Sequence, residues 1–133
     1  MATSRNTHTP RRAGASRRVA EPGSTEGLLA ERLSRLIHGL GNNHLASLLD
    51  VSPSQPSRWR AGKERMSPES QRRLLDLDYV MARLLQVFPR EQAEIWLTSH
   101  NACLGSRPID VLRLRGAAPV VLAIDAEAQG AYT

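Results

Sequence analysis

Few of the 133 residues have the types and spacing that bond-making chemistry needs. Cys103 is the single cysteine, so no internal disulfide can form. Its neighbour His100 is better explained by a turn than by a nucleophile and base. The four histidines His8, His38, His44 and His100 show no metal-ligand spacing. Asp76 and Asp78 fall on different sides of a helical segment and do not pair for acid and base work. The expectation is therefore a protein that is not an enzyme and takes no cofactor and no metal. What remains is the chemistry of contact. Ser54, Gln55, Ser57, Arg58, Arg60 and Lys63 are side chains that bond base edges and phosphates. At the other end, Arg107, Arg113, Arg115, Gln129, Gly130, Ala131, Tyr132 and Thr133 have no evident packing role. Tyr132 offers the rigid amphipathic area that anchors interfaces, and Gly130 would permit a sharp exit from the last helix.

Charge sharpens this division. The net charge of +5 is unevenly spread: residues 1–23 hold five Arg and one Glu, and residues 51–65 hold Arg58, Arg60, Lys63 and Arg65 against Glu64. The remainder is mildly acidic, so the protein presents one basic face and not a uniformly adhesive surface. The leading segment, rich in Thr, Ser, Arg, Pro and Gly, lacks the apolar residues that would offset ordering entropy; it is expected to be a disordered basic arm or a solvated leader. The longest mostly apolar run, Ala117 to Ile124, is too short to cross a bilayer, and the start has no secretory core. A cytoplasmic protein with no membrane contact is expected.

Helices must position these groups. Leu29, Leu33, Leu36 and Leu40 share one helical face behind Ser24 or Thr25, with Gly39 and Gly41 closing the segment. A short helix over 43–49, capped by Asn42 or Asn43, precedes a turn at Asp50 to Pro53 and a third helix ending at Arg60, near Gly62. Ser67, Pro68 and Glu69 form a helix start, and Leu74, Leu77, Met81, Leu84 and Phe88 carry a long stripe to Pro89. Three shorter helices follow, around 90–98, 108–115 and 119–128. With no sustained strand alternation the fold class is all-α, divided as 1–23 arm, 24–66 helix-turn-helix and 67–133 long helix with a C-terminal module. One folding unit is favoured at this length.

From Leu45 to Gly62 the order is that of a helix-turn-helix: Ala46 permits close helix approach, Val51 plugs the turn and Trp59 enters the interior. Asp50 replaces a glycine often found in the turn, at modest cost, and Pro56 requires the recognition helix to begin near Ser54 or Gln55. The arginines would serve phosphate attraction or base readout. In the C-terminal part, Trp96 and Leu97 are expected to pack on the long helix, Asn101 and Gly105 to make a turn, and Pro108 to open a helix behind Ser106.

Both halves resemble the Xre/MbcA/ParS family of antitoxins. One motif is L-A-x-x-L-x-V-S-x-S-x-x-S-R-W-x-x-G, matched from Leu45 with Asp50 before Val51. The other is matched by Trp96, Leu97, Asn101, Leu104, Gly105, Pro108, Ile109, Asp110 and Leu112, followed by the terminal Gly130 and Tyr132. The resemblance covers about residues 28–133 and implies an N-terminal helix-turn-helix and a C-terminal toxin-binding domain. It also implies a cognate RES-domain toxin that consumes NAD, an active site covered by the antitoxin's C-terminal end, and autoregulation through operator DNA. A homodimer or larger toxin-antitoxin assembly would match repeated half-sites. The alternative is a plain helix-turn-helix transcription regulator whose C-terminal region only dimerises or binds a ligand. The terminal Gly130-Ala131-Tyr132 separates the two, because a regulator does not need it.

Overall fold

The computed structural model of the chain describes residues 25–130. The expected arm over 1–23, the candidate cap Ser24 and the terminal Ala131, Tyr132 and Thr133 lie outside that range. The described residues are all-α, in seven helices: α1 (Thr25–Leu40), α2 (Asn42–Leu49), α3 (Gln55–Arg60), α4 (Pro68–Val87), α5 (Arg90–Thr98), α6 (Pro108–Arg115) and α7 (Ala117–Gly130).

Helix α4 is the axis of the molecule. Ser67 starts it by accepting a hydrogen bond from the Ser70 amide at 3.1 Å, with Pro68 in the first turn where its missing N–H costs nothing. Its inward stripe of Leu74, Leu77, Val80, Met81 and Leu84 meets α1 and α2 on one side and α5, α6 and α7 on the other. One continuous core results, from Leu29, Leu33, Leu36 and Ile37 of α1 through Trp59 to Ile109, Leu112, Val120 and Ile124. Trp59 is buried as expected, and Pro56, also buried, falls in the first turn of α3. Ion pairs fasten the outside: Arg32 and Arg35 of α1 both reach Asp78, Arg83 reaches Asp125 of α7, and His44 of α2 faces Glu94 of α5.

Several element ends differ from the sequence expectation. Helix α1 runs through Gly39, whose bare Cα leaves room for the Arg90 guanidinium; a Cβ there would lie 2.9 Å from that group. Gly41, at φ 87°, then separates α1 from α2, so neither Asn42 nor Asn43 is the cap. Helix α7 begins at Ala117, two residues before Pro119, because Gly116 makes the break at φ 85° and a proline within the first turn removes only an orphan N–H. It also continues to Gly130, the last described residue, so the expected sharp exit beyond it lies outside the described residues.

Candidate functional site

The turn after α2 sets up the basic face. Asp50 adopts a left-handed conformation (φ 60°, ψ 48°), with its amide on Ser47 O and the Val51 amide on Ala46 O, the paired bonds that glycine usually supports at a helix end. Trp59 and Pro56 anchor α3 inward, leaving Ser54, Ser57 and Arg60 exposed and Gln55 and Arg58 half-buried. Ser57 donates to Asn42 Oδ1 at 3.1 Å and so ties α3 back to α2.

Arg58 and Gln55 are already engaged. Arg58 donates to Glu64 Oε1 at 2.9 Å, to Gln55 Oε1 at 3.0 Å and to the Ser54 hydroxyl, while Gln55 donates to Glu64 Oε2 at 2.5 Å. Glu64 is a functional candidate that sequence patterning does not single out. It reaches the helix because Gly62, at φ 75°, ends α3 with the Gly62 amide on Trp59 O and the Lys63 amide on Arg58 O, turning the chain back. The Arg58 guanidinium first, and the Gln55 amide second, hold the Glu64 carboxyl below the usual carboxylate range. Arg60 and Lys63 are exposed, with no side-chain hydrogen bond or ion pair among the described residues.

At the C-terminal end the expected turn forms over 101–106. Asn101 pairs with Ser106 through its amide at 3.0 Å, its side chain accepts from the Leu104 amide at 3.1 Å, and Gly105 sits at φ 75°. Leu97 is fully buried, Leu104 packs against the core, and Trp96 is half-buried with its indole N–H 3.4 Å from Glu127 of α7. Pro108 opens α6 as expected and is buried, with Arg107 before it in an extended conformation at the cap position.

The three arginines of this module have different surroundings. Arg107 pairs with Asp110 at 2.8 Å, and this guanidinium is the first cause holding the Asp110 carboxyl low. Arg113 corrects the expectation of a side chain without packing duties. It donates to Leu48 O at 3.1 Å, Ser47 O at 2.8 Å and Asp110 at 3.1 Å, giving Leu48 O a donor and adding a second one to Ser47 O, which already accepts from the Asp50 amide. Arg73 adds a weaker contact, 3.4 Å from Leu49 O. Arg115 is exposed and lines an open groove of about 300 Å³ with Cys103, Leu104, Pro119, Leu122, Ala123 and Ala126.

Two leucines of the last two helices are also absent from the sequence-based candidates: Leu122, which lines this groove, and Leu114, next to Arg115 in the chain. Leu114 is 85% exposed and Leu122 is 70% exposed, more than any other large apolar side chain among the described residues. Along α7 the exposed positions Ala118, Leu122, Ala126 and Gln129 follow helical spacing towards Gly130. A signal existed for this. The run Ala117 to Ile124 is apolar at every position, more than one helix can bury on a single face. Asp76 lies by Arg72, with burial raising its carboxyl above the usual range, while Asp78 is clasped by α1.

Comparison with known proteins accords with this helical arrangement. No protein-family model matches the chain. The mycobacterial cidal antitoxin MbcA of Mycobacterium bovis and that of Mycobacterium tuberculosis are each 35% identical to it over 108 residues, spanning 79% of this chain and 96% of the relative. Among solved structures, a chain of the M. tuberculosis MbcT-MbcA toxin-antitoxin complex superposes with a TM-score of 0.63 at 34% identity, covering 80% of this chain and 98% of that one. With identity above a third sustained across nearly the whole relative, and with a shared backbone, this chain belongs to the MbcA family of antitoxins.

Proposed function

We propose that the protein is an antitoxin that neutralises a cognate toxin by direct contact through α6, α7 and the residues beyond Gly130. The observation that carries this is the exposure of Leu114 and Leu122 on the last two helices, together with the groove that Leu122 and Arg115 line. Apolar side chains this exposed, next to a concave surface, are what a partner would cover. The kinship with MbcA, a chain of which occurs in a toxin-antitoxin complex, supplies the class of partner.

The family resemblance extends the proposal to a RES-domain toxin that consumes NAD. Its active site would be covered by the segment Gln129 to Thr133, with Tyr132 as anchor. Of the arginines, Arg115 and Arg107 would meet the toxin in this reading, whereas Arg113 is engaged by α2 and Asp110. Inhibition of this type requires a buried anchor and a satisfied rim, and no reactive group on the inhibitor.

The basic face of α3 carries a second activity in this proposal: binding operator DNA as a homodimer or within a larger toxin-antitoxin assembly. Ser54, Gln55, Ser57, Arg58, Arg60 and Lys63 would approach the groove and its phosphates. Co-expression with the adjacent toxin gene tests the principal activity. The intact chain should restore growth and the NAD pool, and removal of residues 129–133 should abolish both. Rescue by the truncated chain would reject the covering role of the C-terminal segment, and a harmless neighbouring gene would reject the antitoxin assignment.

A further inference from the structure

The Glu64 carboxylate lies against two outer side chains of α3. Its two oxygens take one donor each from Arg58 and Gln55, which lie one turn apart on the same face of α3. Those side chains are also the pair best suited to reading DNA. Arginine forks onto guanine or phosphate, and glutamine pairs with adenine. A carboxylate with one oxygen on a guanidinium and the other on an amide imitates that acceptor geometry. The imitation is built into the backbone, because the left-handed Gly62 folds the chain back to bring Glu64 over the helix.

We propose that Glu64 is an intramolecular stand-in for DNA, an autoinhibitory and specificity-setting residue that Arg58 and Gln55 must exchange for the nucleic acid. This rests on the DNA-binding part of the proposed function. The exchange is feasible because both partners are open to solvent, with side chains 41% and 44% exposed, and an exposed ion pair contributes little to folding. Arg60 and Lys63, which are not engaged, would make the first phosphate contacts. Arg58 would transfer only to a site whose acceptors repay the loss of Glu64. Unspecific backbone attraction is thereby weakened more than binding to the correct sequence.

The test uses the full chain and two fluorescent duplexes, the DNA upstream of its own gene and a scrambled sequence of equal length. Binding is followed by anisotropy between about 50 and 200 mM salt. Glu64→Gln should bind the scrambled duplex roughly threefold to tenfold more tightly. The dependence of log affinity on log salt should steepen by about 0.9, the increment for one further phosphate contact. The preference for the upstream duplex should fall. Adding Arg58→Ala to Glu64→Gln should remove the gain. The idea is overturned if Glu64→Gln binds no better than the parent, or if its gain survives loss of Arg58. If the parent binds DNA and Glu64→Gln is no tighter, this inference alone falls. If neither chain binds either duplex, DNA binding falls with it, while toxin rescue remains a separate measurement.

Discussion

Arg113 shows how one side chain can be misjudged from composition alone. Following two apolar residues on a short helix, it has the look of a free cation, yet it caps carbonyls of α2 from far along the sequence. Its side chain is 20% exposed, so loss of the guanidinium would strand Leu48 O in a poorly hydrated place and leave Ser47 O with the Asp50 amide alone. Arg113→Ala should therefore lower unfolding free energy by about 1–3 kcal/mol, and Arg113→Lys should recover only part of it, because an ammonium cannot span two carbonyls in a plane. Urea denaturation of the three chains measures both. Asp110 adds a pH dependence. Arg107 holds its carboxyl below the unfolded value, so the pair contributes stability above the ordinary carboxylate range and loses it as pH falls through the lower folded value. The stability difference between the parent and Asp110→Asn should be constant near neutrality and shrink on acidification. A difference that grew on acidification would contradict the assigned cause.

At the scale of elements, the backbone at Gly105 decides whether α5 and α6 are joined correctly. With φ at 75° and nothing within 4 Å of where a methyl group would stand, Gly105→Ala introduces backbone strain without a clash. The expected loss is about 1 kcal/mol, seen as a lower thermal midpoint with unchanged helical circular dichroism. Helices α1 and α4 were legible in the sequence because their leucines repeat at helical spacing, and the Ser67-Pro68-Glu69 start of α4 names its own cap. The turn over 101–106 was legible for a related reason, since Asn and Gly have narrow conformational uses. The start of α2 was not: two asparagines suggested a side-chain cap, but a glycine conformation makes the break. Nor was the cage around Arg58, which joins residues on α3 to one beyond it and depends on the turn at Gly62. Local propensity identifies helices well, whereas the bonds that position a site are formed between segments.

For the whole molecule, folding and partner recognition draw on different sets of apolar residues. The core is closed by α4 and the stripes that meet it, and Leu114 and Leu122 take almost no part in it. Replacing both with aspartate should leave the thermal midpoint of the isolated chain within about 3 °C of the parent, because surface changes seldom exceed about 0.5 kcal/mol. Capture of the co-expressed toxin should nonetheless be lost, since each aspartate would have to surrender its water inside an apolar contact. Leu97→Ala is the opposite case. It empties a fully buried position of the core and should destabilise the fold by about 2–5 kcal/mol, with any loss of toxin capture following from unfolding. Comparing the two variants by melting and by co-purification separates a surface that binds from an interior that supports it. If the Leu114 and Leu122 double variant still captured toxin at the parental level, the contact would have to be made elsewhere, and the exposure of these two leucines would need another explanation.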